Sequence, residues 1–178
     1  MTIKKWETIE EEDVSPNKWF KIFRKTFRLD DGRIIDDFYV SRAPDVSMIL
    51  AIIDDKIMFV KQYRPGADEI LLELPAGFVE EGNTPEQTAQ RELKEETGYT
   101  GTISKMSSFN ILPSKSNQIL HCFFAKNLEP GERKLDEYEN IEIVFVPLAE
   151  LDEYILSGKI RASSTLATLI IAKTKKFF

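Results

Sequence analysis

Three glutamates, Glu92, Glu95 and Glu96, fall in the run Arg91-Glu92-Leu93-Lys94-Glu95-Glu96-Thr97-Gly98-Tyr99. On a helix, with about 3.6 residues per turn, Glu92 and Glu96 lie one above the other and Glu95 stands beside them. Carboxylates so placed repel one another unless solvent or a cation intervenes. Hard divalent cations prefer oxygen-rich acidic sites, and Mg²⁺ typically combines a few carboxylates with waters and substrate phosphates. The ordinary alternative is a solvated acidic face with Arg91–Glu95 support at i,i+4, because charge runs are usually surface. The surroundings separate the two readings. Before the helix come a short apolar strand and the segment Pro75-Ala76-Gly77, so the acidic face sits beside loop backbone where a phosphate–metal complex could be held.

Other residues with chemical potential are scattered. Arg64 could form bidentate contacts with a phosphate, or an ion pair with Glu73 or another acid. Asp136-Glu137-Tyr138-Glu139-Asn140 is an acidic turn before an apolar strand, and solvation is one sufficient reason for it. The lone His121 reads as a strand residue facing a neighbour, with a substrate role as the alternative. Cys122 reads as a small core residue, not a nucleophile. Trp6 and Trp19 could stack on a base, although core or interface packing accounts for them as well.

Several elements must position these groups. Pro85 to Thr97 is the clearest helix: Thr84 caps it, Gln87 completes a capping box, Pro85 suits the first position and Gly98 the left-handed stop. Further helices are predicted over Leu148 to Leu156, ending before Gly158, and after Ser163 or Ser164. The last of these should carry Leu166, Leu169, Ile170 and Ile171 towards a core. Strands are predicted over Val46 to Ile53, Lys56 to Tyr63, Ile70 to Leu74, Ile103 to Ile111, Gln118 to Ala125 and Ile141 to Val146. Ala89 and Leu93 form the stripe of the acidic helix that suits packing on a sheet. Ahead of all this, Trp19 to Leu29 and Arg33 to Ser41 form a β-leaning pair joined by Asp30-Asp31-Gly32. Strands interleaved with helices point to an α/β sandwich with a mixed sheet, not a doubly wound parallel one.

The bulk numbers remove whole classes of function. At 178 residues the chain suits one compact domain, or one domain with a small appendage. Its 42% hydrophobic and 30% charged content is that of a globular protein. A net charge of −6 argues against coating nucleic acid, which needs a basic surface. One cysteine cannot form an internal disulfide and fits a reducing compartment. The first thirteen residues lack the apolar core of a signal peptide, and no run approaches the ~18 apolar residues of a membrane span. A cytoplasmic protein with no nucleic-acid and no membrane partner is the expectation.

The spacing around the acidic helix now becomes specific. Gly77, five residues, position 83, seven residues, then Arg91-Glu92-Leu93-x-Glu95-Glu96-x-Gly98-Tyr99 resembles the Nudix box. The Arg-to-Tyr portion alone would arise by accident in roughly one chain of this length in a hundred thousand, so the spacing carries the resemblance. It extends through most of the chain from about Val46. Position 83 departs from the pattern, with Asn83 where the family usually has a glutamate that buttresses the loop and helix; asparagine hydrogen-bonds but brings no charge.

The resemblance implies a Nudix α/β/α sandwich over residues 46–178, and Mg²⁺, or Mn²⁺ in its place, ligated by Glu92 and Glu96. Glu95 would be a further ligand or water anchor, the Ala76 carbonyl would complete the site, and Arg91 would orient the carboxylates. Metal ions there neutralise a diphosphate and activate water for in-line attack on phosphorus. A general base is implied in the loop after the box, where Glu139, with Glu137 in reserve, matches in kind. The segments Lys61 to Gly66 and Glu73 to Gly77 are similar to those of ADP-ribose pyrophosphatases, which implies substrate contacts for Arg64 and Glu73. Pro113, fifteen residues beyond Gly98, has a placement associated with that subfamily, although Pro113-Ser114-Lys115-Ser116-Asn117 departs from its usual loop. The implied reaction is cleavage of a nucleoside-diphosphate-linked small molecule, ADP-ribose first, giving AMP and ribose 5-phosphate. Another nucleotide sugar, a dinucleoside polyphosphate, or a catalytically silent nucleotide-binding module are the alternatives.

Residues 1–45, the N-terminal β-hairpin region, resemble the extra sheet that such enzymes exchange between subunits. Trp19, Phe20, Phe23, Phe27, Phe38 and Tyr39 exceed what an isolated hairpin could hide. A homodimer is the expectation, with this region as its dimerisation element.

Overall fold

The computed structural model describes residues 2–178, which divide by their internal contacts into two compact units. One comprises the chain up to Pro44 together with Asn110–Ile119; the other comprises Asp45–Phe109 and Leu120–Phe178.

The first unit is a three-stranded antiparallel sheet of β1 (Glu7–Asp13), β2 (Lys21–Arg28) and β3 (Ile34–Arg42), in that order. The Asp30-Asp31-Gly32 turn joins β2 to β3, and Gly32 takes the φ of 83° that the turn requires. The antiparallel hairpin or small sheet expected here is a small sheet, and the acid-rich run of β1 is its one strand that the sequence reading did not mark. Such a run has no apolar alternation, so its pairing partner had to be seen. Basic residues on β2 and β3 face it: Arg28 meets Glu7 at 2.8 Å, Arg24 meets Glu12 at 2.7 Å, and Lys25 and Arg42 both meet Glu11. Trp6, Phe27 and Phe38 pack edge to face with centroids 5.6 to 6.1 Å apart, an arrangement favoured by the ring quadrupoles. The loop 110–119 joins this unit through Ser41 N–H donating to the Lys115 carbonyl at 2.7 Å and Lys115 Nζ lying 3.9 Å from the Phe38 ring centroid.

The second unit is built on a mixed seven-stranded sheet. Its strands are β4 (Val46–Ile53), β5 (Lys56–Arg64), β6 (Glu69–Glu73), β7 (Ala76–Phe78), β8 (Tyr99–Asn110), β9 (Ile119–Pro130) and β10 (Glu142–Pro147). The order is β10-β5-β4-β9-β8, with β6 paired to β5 and β7 to β4. Strands β4 and β9 run parallel, while β5 is antiparallel to β4, β6 and β10. Asp54 and Asp55, both at positive φ, make the tight turn between β4 and β5.

Alternation along β4 and β9 sends residues to two faces. Ile49, Ala51, Phe123 and Ala125 join Ala89 and Leu93 of helix α1 (Pro85–Thr97) in one core cluster. Met48 and Cys122 face helix α3 (Ser163–Thr174), where Thr168 Oγ1 lies 3.3 Å from the Met48 sulfur and 3.2 Å from the Cys122 sulfur. A short 3₁₀ turn, Leu148–Glu150, leads into α2 (Leu151–Leu156). The result is the expected α/β sandwich.

Helix α3 corrects an expectation. Its buried residues are Thr165, Thr168, Leu169 and Ala172, while Ile170 is 65% exposed. Apolar side chains lie almost all round this helix, so hydropathy does not orient it. The threonine hydroxyls decide instead, because each finds a partner when buried: Thr168 donates to the Ser164 carbonyl and Thr165 accepts from the Leu74 N–H. Among the described residues no helix is long and apolar enough to cross a membrane.

Candidate active site

The acidic residues are positioned by α1 and by the strand that precedes it. Thr84 Oγ1 accepts from the Gln87 N–H while the Gln87 side chain accepts from the Thr84 N–H, and Gly98 closes the helix at φ 77°. The same register that buries Ala89 and Leu93 turns Glu92 and Glu96 towards β7. There the Ala76 N–H donates to Glu96 Oε2 at 3.1 Å. Gly77 has a steric duty: a Cβ on it would lie 1.8 Å from Glu92 Oε1, so only glycine lets the carboxylate rest against the strand.

Both carboxyls are deeply placed, with Glu92 7% and Glu96 2% exposed. Burial pushes the Glu92 carboxyl up to about 7; the Arg91 charge opposes this, and Glu95 and Glu139 reinforce it. Burial also pushes Glu96 up to about 8, with Glu92 next in effect, the Ala76 N–H opposing, and Glu139 adding to the rise. The influence of Glu139 on both carboxyls brings the acidic turn to the helix. Glu139 is half-buried, its carboxylate accepting from the Asp136 N–H at 2.9 Å, whereas Glu137 is exposed.

Arg91 gathers the remaining acids. Its guanidinium lies 2.7 Å from Glu92, 2.6 Å from Glu95 and 3.6 Å from Glu80. Burial works against the charge, but Glu92, Glu95 and Glu80 outweigh it and hold the guanidinium above its ordinary range. Glu95 is thus drawn to Arg91. Among the described residues no three acidic, imidazole or thiolate side chains form a ready-made coordination shell. Asn83 donates from Nδ2 to Glu80 at 3.4 Å. Arg64 is paired through Nε with Glu73 at 2.6 Å, and its charge reaches Glu96, lowering that carboxyl slightly against the other effects.

The other candidates lie elsewhere or are spoken for. Pro113 belongs to the first unit, with the loop 110–119. His121 is buried, with Nδ1 3.0 Å from Ser108 and Nε2 2.9 Å from Asp45, so neighbours engage both ring nitrogens. Cys122 is buried against Thr168, and burial pushes its thiol up. Trp6 packs in the aromatic cluster, while Trp19 is 84% exposed with Lys18 over its ring. A 390 Å³ depression on another flank of α1 is lined by Gln87, Gln90, Arg91, Leu93, Lys94, Thr100 and Gly101, none of them acidic.

Comparison with known proteins decides the family. The NUDIX domain model matches residues 42–167. The chain belongs to the Nudix family. A second model, the nucleoside diphosphate sugar hydrolase N-terminal domain, matches residues 6–41. Among similar proteins, the ADP-ribose pyrophosphatase of Bacillus subtilis is 34% identical over 163 residues, covering 89% of this chain and 88% of that one. The methanol dehydrogenase activator of Bacillus methanolicus is 32% identical over 163 residues, 90% of this chain and 88% of that one. A crystal structure of an ADP compounds hydrolase superimposes with a TM-score of 0.88 at 21% identity, over 98% of this chain and 95% of the other, which shows a shared fold.

Nudix hydrolases generally use divalent metal ions. The donor set fits one: Glu92 and Glu96 are buried carboxylates on one helix face, and burial together with repulsion from neighbouring carboxylates raises the proton affinity of each, the kind of unfavourable grouping a cation relieves. Two features of the site escaped the sequence reading. Gly77 stood there only as a spacing mark, although a glycine between a strand and an acidic helix signals close approach. Glu80 had no signal, being one of two adjacent loop glutamates.

Proposed function

We propose that this Nudix protein hydrolyses the pyrophosphate of a nucleoside-diphosphate-linked small molecule, with ADP-ribose the leading substrate and AMP and ribose 5-phosphate the products. The observation that carries the reading is the pair of buried carboxylates, Glu92 and Glu96, set against the Ala76–Gly77 backbone with Glu139 close by. The likeness to an ADP-ribose pyrophosphatase supports the choice of substrate.

In this reading Glu92 and Glu96, with Glu95 and the Ala76 carbonyl, would hold Mg²⁺, or Mn²⁺ in its place. The ion supplies charge neutralisation for the diphosphate and makes the attacking water more acidic. Glu139 takes the proton as that water attacks one phosphorus, with Glu137 in reserve; a new P–O bond forms and the bridging P–O bond breaks. Arg64, fixed by Glu73 through Nε, offers its terminal nitrogens to a phosphate oxygen. Gly77 keeps room for Glu92, and Arg91 holds Glu92 and Glu95 in the absence of the ion.

The protein works as a cytoplasmic homodimer, its partners confined to small molecules and a second copy of itself. Exposed Trp19 and Phe20 in the bend before β2 and Tyr39 on β3 support the assembly, and the single buried cysteine is consistent with the compartment. The match of residues 6–41 to a nucleoside diphosphate sugar hydrolase domain favours a second reading, in which another nucleotide sugar is the substrate. Incubation with ADP-ribose, other nucleotide sugars and dinucleoside polyphosphates plus Mg²⁺, with products separated by chromatography, tests both. AMP and ribose 5-phosphate appearing fastest supports the first reading. Faster turnover of another sugar nucleotide replaces it, and no turnover of any compound removes the enzymatic reading.

A further inference from the structure

The three carboxylates around Arg91 do not stand in the same relation to the cation site. Glu92 at 2.7 Å and Glu95 at 2.6 Å belong to the proposed ligand set, whereas Glu80 at 3.6 Å lies in the loop before α1 and does not. An ion that draws Glu92 and Glu95 to itself takes away two of Arg91's three counter-charges and adds a positive charge beside it. The guanidinium is only partly open to solvent, and its Nε is buried without a hydrogen-bond partner among the described residues. The loop is arranged to keep the third charge in place. Asn83 Nδ2 donates to Glu80 Oε2 at 3.4 Å, the Asn83 N–H donates to the Glu80 carbonyl at 3.1 Å, and Glu80 Oε1 is the oxygen facing Arg91.

We propose that Glu80, held by Asn83, is a positioning residue that retains Arg91 when the cation takes Glu92 and Glu95, supplying from position 80 the loop carboxylate that Asn83 lacks. The inference rests on the proposed cation site. Glu80 favours the loaded state because its pairing with Arg91 gains importance there, when the other two acids are engaged elsewhere. Glu81, next in the chain, is exposed and makes no ion pair among the described residues, so it serves as a control of equal charge.

Calorimetric titration of Mn²⁺ into the full-length, metal-free protein, without substrate, tests the assignment. Glu80→Gln should weaken binding roughly two- to five-fold, the range of an exposed charge pair. Glu81→Gln should bind as the wild type does, and adding Asn83→Glu to Glu80→Gln should restore the affinity. The metal-free thermal midpoint of Glu80→Gln should stay within about a degree of wild type, because the pair is exposed. Unchanged affinity in Glu80→Gln, equal losses in the Glu80 and Glu81 variants, or no restoration by Asn83→Glu overturns the proposal and leaves the cation site standing. If the wild type itself takes up no Mn²⁺, the cation site falls and this inference with it.

Discussion

Glu96 is a carboxyl almost without solvent, held by one backbone N–H and faced by a second buried acid. Its replacement by glutamine keeps the size and the Ala76 contact but removes the charge offered to a cation. Turnover should drop by about 10²- to 10³-fold with the fold intact, as seen by steady-state kinetics and circular dichroism; retained turnover removes Glu96 from the reaction. Acidity supplies a second prediction. With burial lifting Glu92 to about 7 and Glu96 to about 8 from an ordinary 4.5, the folded metal-free protein holds more protons than the unfolded chain between about pH 4.5 and 8. Stability contributed by these protonated groups is therefore lost as pH rises through that window. Thermal midpoints in chelator should fall from pH 5 to pH 8, and less steeply in Glu96→Gln; a rise over that range contradicts the account. At Gly77 the argument is steric. Gly77→Ala places a methyl where Glu92 Oε1 now rests, so the carboxylate must leave, and kcat/KM should fall at least about ten-fold while secondary structure persists.

Helix α1 is the element that holds the acids in register, and its start depends on a local device. Thr84→Ala deletes the acceptor for the Gln87 N–H at an exposed position. Denaturant unfolding should register a loss of about 1 kcal/mol; no loss would mean water satisfies that N–H equally well. This helix was legible to the residue, because Thr84, Pro85, Gln87 and Gly98 are local signals that need no tertiary partner. Strands β4 and β5 were legible too, from apolar runs flanking an Asp-Asp turn. Strand β1 and the facing of α3 were not. The acidic strand pairs with β2, whose Arg24, Lys25 and Arg28 meet its glutamates while Arg42 of β3 reaches Glu11, and α3 turns on where Thr165 and Thr168 find hydrogen-bond partners. Both depend on residues distant in sequence.

At the scale of the whole molecule the exposed aromatics of the N-terminal unit carry the prediction. Trp19, Phe20 and Tyr39 remain exposed after the sheet has acquired its third strand, so intrachain packing does not cover them. Light scattering at micromolar concentration should report twice the 20.5 kDa chain mass. A mass of one chain would mean these rings face water in the working protein.

The sequence by itself determined the acidic helix, through periodicity and local capping, and the layered architecture, through interleaved strands and helices. The spacing of Gly77, Arg91, Glu92, Glu95, Glu96 and Gly98 carried the resemblance to the family. Tertiary structure alone decided how those acids differ. Glu92 and Glu96 are buried against β7, Glu95 and Glu80 share Arg91, and Arg64 is tied to Glu73. Such distinctions arise from burial and from charges brought together by the fold, and a residue's type carries neither.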